Sequence, residues 1–131
     1  SLSIVGIGTD LVEIDRLEAL QQRYSTRLAA RLLAPAERSD YQAHAAGDRQ
    51  AAAFLARRFA AKEAAAKALG CGIGAQARLS ELVVTHTGAG APGLTLTGAA
   101  GRQAERLGVR SAHLSISDER GYALAFVILE G

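Results

Sequence analysis

Apolar positions recur at helical spacing in the first half of the chain and at strand spacing in the second. The run Leu2–Ile7 is apolar and short, which predicts a buried strand. From Glu13 apolar side chains recur every three or four residues, and after a polar break near Tyr24 they continue to Leu33. The pattern therefore predicts one strand followed by two helical segments.

Two more helices are predicted in the first half of the chain. Pro35 favours the first turn of a short helix that runs through Tyr41. A long run of strong helix formers then begins with Asp48, which is suited to act as the N-cap. Gly70 is suited to end this central helix in a left-handed conformation, and a glycine-rich connection over residues 70–74 follows.

The second half is predicted to consist mainly of strands. Strands are expected over residues 82–87 and 94–97, followed by a helix over residues 98–107. Residues 113–117 alternate between polar and apolar, whereas residues 122–129 are continuously apolar, which predicts a strand buried on both faces. The sequence therefore predicts an α+β fold, with helices mainly in the first half packed on a small, mostly antiparallel sheet.

Composition narrows the class of protein. The length of 131 residues predicts a single domain, residues 1–131. No stretch reaches the roughly 20 apolar residues of a membrane span, and the start lacks a signal-peptide pattern, so neither is expected. A single cysteine, Cys71, excludes an intramolecular disulfide and fits a cytoplasmic protein.

The net charge limits the kinds of ligand and partner that are expected. The net charge of +2 and the pI near 9.0 are compatible with phosphorylated ligands or acidic partners. Aromatic residues make up 5% of the chain and are not interleaved with basic ones, as stacking on nucleic acid requires, so no nucleic-acid partner is expected.

The central helix has charges on a side where a core-facing helix should be apolar. Glu63 and Lys67 are four residues apart, on the side that also presents Phe59. They form either a surface ion pair, which contributes about 0.3–0.5 kcal/mol, or a chemical site.

Asp10 follows the first predicted strand, behind Gly6 and Gly8. It is either the N-cap of the next helix or a metal ligand at a strand end, where the glycines permit close backbone approach. Asp10 and Glu63 together would supply two carboxylates, which Mg²⁺ commonly takes from protein when phosphates and water complete its coordination.

Four cations lie on the central helix just before the glycine-rich connection: Arg57, Arg58, Lys62 and Lys67. Such a run is either a solvated face or a site for an anionic ligand. Gly70, Gly72 and Gly74 either cap the helix or let backbone N–H groups surround phosphate oxygens. The connection matches neither the Walker motif nor the dinucleotide-binding fingerprint.

The remaining polar groups give weaker signals. His113, Ser115 and Asp118 lack the strand–turn–helix context of a nucleophile, so we expect a polar strand face. His44 and His86 have no second ligand nearby in sequence, which argues against a zinc site.

Arginines recur along the first helices at Arg16, Arg23, Arg27 and Arg31. They are either solubilising charges or the rim of a docking site for an acidic protein.

Two segments resemble a known family. Residues 4–14 (IVGIGTDLVEI), followed about fifty residues later by residues 58–68 (RFAAKEAAAKA), are similar to holo-acyl-carrier-protein synthase, the short bacterial type of 4′-phosphopantetheinyl transferase. The His113-x-Ser115 strand and the length also match, so the resemblance covers nearly the whole chain. It implies the 4′-phosphopantetheinyl transferase fold.

The resemblance also implies a reaction. The phosphopantetheine arm of coenzyme A would move to a serine of apo acyl carrier protein, with release of adenosine 3′,5′-bisphosphate, in support of fatty acid biosynthesis. The resemblance further implies a homotrimer with one site at each subunit interface.

Site residues follow from the same resemblance. Asp10 and Glu63 would bind Mg²⁺ together with the coenzyme A diphosphate, and Glu63 is one candidate for the general base, a metal-bound water the other. Lys67 and Arg58 match positions that contact coenzyme A phosphates and would stabilise charge on the leaving group. Arg16 matches a basic position that meets the carrier protein. The glycines that match the loop beside the adenosine phosphates are Gly70, Gly72 and Gly74.

The chain departs from the family's pattern at three positions. Cys71 stands where Thr or Ser is more common, Ala91 where Lys is common, and Asp118 where many relatives have a second His. The change at Cys71 removes a hydroxyl contact to phosphate, and that at Ala91 removes a basic contact. The change at Asp118 argues against an obligatory histidine base. Lys62 belongs to the signature, but the resemblance leaves its role open.

Two other functions remain open on the residues alone. A non-catalytic nucleotide sensor would use the same cations and glycines but gives no reason for paired carboxylates. A structural oligomer would use the alanine-rich helix for close packing and would bind no ligand.

Overall fold

The computed structural model describes residues 3–131, so Leu2, the predicted start of the first strand, lies outside the described residues. Over that range the chain forms five strands and five α-helices. In chain order they are β1 (Ile4–Glu13), α1 (Ile14–Tyr24), α2 (Thr26–Leu32), α3 (Arg38–His44), α4 (Asp48–Ala68), β2 (Leu82–His86), β3 (Pro92–Leu96), α5 (Gly98–Leu107), β4 (Ser111–Glu119) and β5 (Tyr122–Glu130). Short 3₁₀ turns at Pro35–Glu37 and Leu79–Glu81 precede α3 and β2. The α+β prediction is confirmed.

The strands form two antiparallel sheets. In the larger one β5 is central, with β1 on one side and β4 on the other, while β2 and β3 form a separate ribbon. The predicted end of the first strand at Ile7 was too early, since β1 stays paired with β5 until Glu13 meets Tyr122. A partner strand more than a hundred residues away thus extends β1 beyond its local pattern.

Helix α4 packs on one face of the larger sheet, against β1 and β5. Small side chains allow this close approach, because alanines cover the buried side of the helix. Those with no exposed surface in the second half of α4 are Ala60, Ala61, Ala64, Ala65 and Ala66. Although α4 has 21 residues, neither it nor another helix of the described residues is long and apolar enough to cross a membrane.

The ends of α4 follow the predicted signals in part. Gly70 has a φ of +79° and ends the helix, as predicted. The N-cap is Gly47, so Asp48 is the first helical residue rather than the cap. Its carboxylate therefore lies in the first turn, where the positive end of the helix dipole favours it.

The second face of the larger sheet is uncovered by the described residues. Along β5 the side chains alternate, so Ala123, Ala125 and Val127 are buried while Leu124 and Phe126 are exposed. The prediction that residues 122–129 are buried on both faces is therefore wrong for the single chain. The exposed apolar surface continues on β1 at Ile7 and Leu11, which pair with β5.

Candidate active site

Two glycines let α4 lie directly on β1. A Cβ atom on Gly8 would stand 1.9 Å from the carbonyl oxygen of Ala64, and one on Gly6 would stand 2.1 Å from that of Ala68. No side chain larger than hydrogen fits at either place. Because side chains two residues apart share a strand face, Asp10 projects from the same face as Gly8 and lies beside the end of α4.

Lys67 and Asp10 meet at this junction. The Lys67 Nζ donates a hydrogen bond to Asp10 Oδ1 at 3.1 Å and another to the Thr9 carbonyl oxygen at 3.0 Å. The Asp10 side chain is 16% exposed and that of Lys67 is 51% exposed. The ammonium group is thus partly open to solvent, while the carboxylate lies deeper.

Glu63 is close enough to Asp10 for the two charges to interact. Burial raises the pKa of Glu63, the negative charge of Asp10 raises it further, and Lys67 and Arg16 oppose both effects. A simple surface pair of Glu63 with Lys67 does not describe this arrangement, because the ammonium bonds to Asp10. The alternative that Asp10 is an N-cap is also wrong, because Asp10 lies within β1 and α1 begins after Glu13.

The donor set fits a hard divalent cation. Two adjacent carboxylates repel each other, and a bound cation relieves that repulsion. Among residues 3–131 no group of three or more His, Cys, Asp or Glu side chains forms a complete metal site. Two carboxylates are what an ion such as Mg²⁺ commonly takes from protein, with its other ligands from phosphate and water.

Arg16 borders the same cluster from α1. Its guanidinium carbon lies 5.5 Å from the centre of the Phe59 ring, and its charge lowers the pKa of Glu63. The residue predicted to contact a partner protein is therefore next to the carboxylates. It connects them to the basic surface of the first two helices.

Arg58 belongs to a different, buried cluster of charges. It is 4% exposed, and its guanidinium lies 3.1 Å from Glu37 Oε1 and 3.5 Å from Asp40 Oδ2. The Lys62 ammonium is completely buried and lies 2.6 Å from Glu37 Oε2. Sequence reasoning missed Glu37, and its position after Pro35 gives no signal of a buried ion pair.

Arg58 also lines a cavity of about 270 Å³ between α3, α4 and β2. Its other basic lining residues are Arg57, His44 and His86, and Asp40 lies at the same place. Arg58 contributes to the wall of this cavity, while its guanidinium pairs with Glu37 and Asp40.

The backbone N–H groups of the glycine-rich connection are bonded within the chain. The N–H groups of Gly70 and Gly72 donate to the carbonyl oxygens of Lys67 and Ala66, and that of Gly74 donates to Ala77. These bonds favour the alternative in which the glycines cap the helix and close the loop, and their contact with phosphate stays a prediction. The space around the three glycines is nevertheless open, with no neighbouring atom within 4 Å of the point where a Cβ would lie on each.

The remaining polar groups behave as a strand surface. His113 Nε2 lies 3.0 Å from Glu130 Oε1, and Asp118 Oδ2 lies 3.1 Å from Arg57. Ser115 is exposed on the same face as His113 and opposes Phe126. His113 and Ser115 share the exposed face, as predicted, whereas Asp118 opposes the buried Ala123 and lies on the face that α4 covers.

Comparison with known proteins shows which family the chain belongs to. The profile of the 4′-phosphopantetheinyl transferase superfamily matches residues 6–127. The holo-[acyl-carrier-protein] synthase of Alkalilimnicola ehrlichii is 56% identical over 127 residues, which cover 97% of both chains. That of Hamiltonella defensa is 50% identical over 130 residues, which cover 99% of this chain and 100% of the relative.

Solved structures give the same result. The crystal structure of holo-[acyl-carrier-protein] synthase from Neisseria meningitidis has a TM-score of 0.89 and 36% identity, covering 98% of this chain and 100% of that one. The Helicobacter pylori enzyme, solved in complex with coenzyme A, has a TM-score of 0.80 and 29% identity, covering 94% and 98%. The chain belongs to the 4′-phosphopantetheinyl transferase superfamily and is an enzyme of its holo-acyl-carrier-protein synthase group.

Proposed function

We propose that this enzyme transfers the 4′-phosphopantetheine arm of coenzyme A to a serine of apo acyl carrier protein, in a reaction that depends on Mg²⁺. The observation that carries the proposal is the Lys67–Asp10 ion pair where α4 rests on β1, with the Glu63 carboxylate close enough for the charges of both residues to act on it. It is supported by full-length relatives with this activity in their names, one of them solved with coenzyme A.

The reaction exchanges one phosphorus–oxygen bond for another. The serine oxygen bonds to the β-phosphorus of coenzyme A, and the bond from that phosphorus to the bridging oxygen breaks, so that adenosine 3′,5′-bisphosphate leaves. Such a transfer needs alignment and charge neutralisation more than covalent help from the protein. Asp10 and Glu63 would hold Mg²⁺, which when bound neutralises charge on the diphosphate.

The protein's own groups would manage the proton and the remaining charge. Glu63 is the carboxylate beside the reacting diphosphate that would accept the serine proton. Lys67, whose ammonium is half exposed, would donate hydrogen bonds to phosphate oxygens and stabilise charge on the leaving group.

Arg58 and the glycine-rich connection would bind the adenosine end of coenzyme A. Arg58 would meet a phosphate through the cavity that it shares with Arg57 and two histidines. Gly70, Gly72 and Gly74 would contribute an open surface rather than N–H donors, since their N–H groups are already bonded.

The carrier protein would dock on α1 and α2. Arg16 lies at the site, and farther along a hollow of about 420 Å³ is lined by Leu20, Tyr24 and Leu28 between Arg27 and Arg31. An apolar hollow with a basic rim suits an acidic protein with an apolar contact residue. The reaction would support fatty acid biosynthesis when the carrier protein that docks here is that of fatty acid synthesis.

We also propose self-association as a homotrimer in the cytoplasm. The uncovered face of the larger sheet supports self-association, because exposed apolar side chains there lie side by side on β1 and β5. The number of three subunits comes from the family resemblance, and the location from the single cysteine.

One incubation tests the proposed function. Purified enzyme is mixed with apo acyl carrier protein, coenzyme A and Mg²⁺, and the intact mass of the carrier protein is measured. We expect addition of phosphopantetheine, equimolar adenosine 3′,5′-bisphosphate, and loss of both when a chelator is added. Asp10→Asn should lose transfer, whereas Asp48→Asn, at the exposed start of α4, should retain it.

The other candidate functions give different results in the same experiment. A nucleotide sensor would bind coenzyme A without releasing the bisphosphate. A structural oligomer would show no rise in melting temperature with coenzyme A and Mg²⁺, because only a ligand that binds the folded state stabilises it. An unmodified carrier protein would overturn the proposal.

A further inference from the structure

Lys62 is completely enclosed although it precedes the site residue Glu63 in α4. Its ammonium donates to Glu37 Oε2 at 2.6 Å and to the carbonyl oxygen of Leu79 at 2.8 Å. A lysine is almost never fully buried without a partner, because desolvation disfavours its charge. Here the two acceptors come from segments that are far apart in sequence.

Glu37 anchors the first of these segments. It is 1% exposed, and both of its oxygens are occupied, Oε1 by Arg58 and Oε2 by Lys62 and the backbone N–H of Ala34. The carboxylate is therefore held from α4 and from its own turn. It offers Lys62 a fixed point rather than a mobile partner.

Leu79 anchors the second segment, a few residues beyond the glycine-rich connection of residues 70–74. Residues 73–80 otherwise make local hydrogen bonds, such as those between Gly74 and Ala77 and between Arg78 and Glu81. Among the hydrogen bonds of the described residues, the one from Lys62 ties this segment to a distant element. The packing of the buried Ala77 also holds this segment in place, but packing does not fix its orientation as a hydrogen bond does.

We infer that Lys62 is a positioning residue that fixes the segment from the glycine-rich connection to Leu79, residues 70–79, against α4. The near end of this segment leaves α4 at Gly70, and the far end is bonded back to the same helix at Lys62. The segment is thus closed into a loop of defined shape beside Lys67. Resting on the proposed function, the inference assigns Lys62 to coenzyme A binding rather than to the chemical step.

Two variants test the inference. Lys62→Met keeps the length of the side chain but removes the charge and both hydrogen bonds. Glu37 keeps its pair with Arg58 in this variant, and a second variant, Lys62→Leu, removes the same interactions with a different apolar side chain. In both, we expect the KM for coenzyme A to rise about tenfold while kcat stays within about twofold, because a charged hydrogen bond that orders the binding loop is lost.

Hydrogen exchange of the ligand-free protein gives a second readout. Amides of residues 73–80 should exchange about tenfold faster in both variants, while those of the larger sheet keep the wild-type rate. Unchanged exchange and an unchanged KM in a folded variant would overturn the inference. A fall in kcat at constant KM, or failure of both variants to fold, would also overturn it, since Lys62 would then serve the chemistry or the whole fold.

The test separates the inference from the proposed function. Absence of transfer by the wild-type enzyme would refute the proposed function. The exchange measurement uses no substrate, so it judges the attachment of the loop on its own.

Discussion

The backbone of Gly8 in β1 touches the carbonyl group of Ala64 in α4, with no room for a methyl group between them. Ala64 lies between Glu63 and Lys67 in the helix. This contact therefore sets how far their side chains are from Asp10. The spacing of the charged groups depends on a residue that has no side chain.

Substitution of Gly8 tests this dependence. Gly8→Ala would place a Cβ 1.9 Å from a backbone oxygen, so the helix must move, and we expect a loss of about 3 kcal/mol in the free energy of unfolding. Gly88→Ala is the matched control, because nothing lies within 4 Å of its Cβ position, and its effect should be within about 0.5 kcal/mol. Urea unfolding measures both, and equal midpoints would contradict the prediction.

Glu63→Gln should remove activity yet stabilise the ligand-free enzyme at pH 7. The pKa of Glu63 is raised, first by burial and then by Asp10, so between 4.5 and the raised value the folded state binds more protons than the unfolded state. Stability of the wild type therefore falls as pH rises through that window, and the uncharged variant lacks this loss. We expect a gain of less than about 1 kcal/mol, because water screens the partly exposed group.

Thermal unfolding at pH 4.5 and pH 7 measures the effect of Glu63→Gln. Glu105→Gln, on the exposed surface of α5, is the control and should follow the wild type at both values. A variant less stable than the wild type at pH 7 would show that the carboxylate has a favourable partner in the free enzyme.

Lys67→Met should lower kcat/KM about 100-fold, because removal of one donor to a developing charge commonly costs 10²–10³ in rate. Stability should change by less than about 1 kcal/mol, since the pair with Asp10 is half exposed on the lysine side. Steady-state kinetics with varied coenzyme A provides the measurement. The control is Arg102→Met on the exposed part of α5, and a wild-type rate for Lys67→Met would leave the lysine as an ion-pair partner of Asp10 alone.

Leu124→Asp should prevent self-association. Leu124 is 42% exposed at the centre of the uncovered sheet face, where burial of a carboxylate against apolar neighbours is unfavourable. Leu107→Asp is the control, because Leu107 is 37% exposed on α5, away from that face. Light scattering after size exclusion gives the mass, and a wild type that remains a monomer at micromolar concentration would contradict the expected assembly.

Local signals in the sequence predict the elements that are set by local chemistry. The helix predicted over residues 98–107 is α5 itself, and Gly70 ends α4 as expected. Helix propensity and the left-handed conformation of glycine act within a few residues, so a sequence window contains them.

Features set by distant partners were missed for a physical reason. β1 reaches Glu13 because β5 pairs with it, and Lys62 is buried because Glu37 meets it from another segment. The apolar run of β5 indicates that both faces avoid water, but it does not say which elements of the chain pack on each face. The identity of Asp10 and Glu63 as a pair came from the family resemblance, since residues 53 positions apart carry no local sign that they meet.

Successive residues of β1 serve two different surfaces, since Asp10 faces α4 and Leu11 faces away from it. If further copies of the chain cover the outer surface, their arrival also braces the strand that presents Asp10. Turnover per molecule would then fall on dilution, and the abundance of the enzyme in the cell would set how active each copy is.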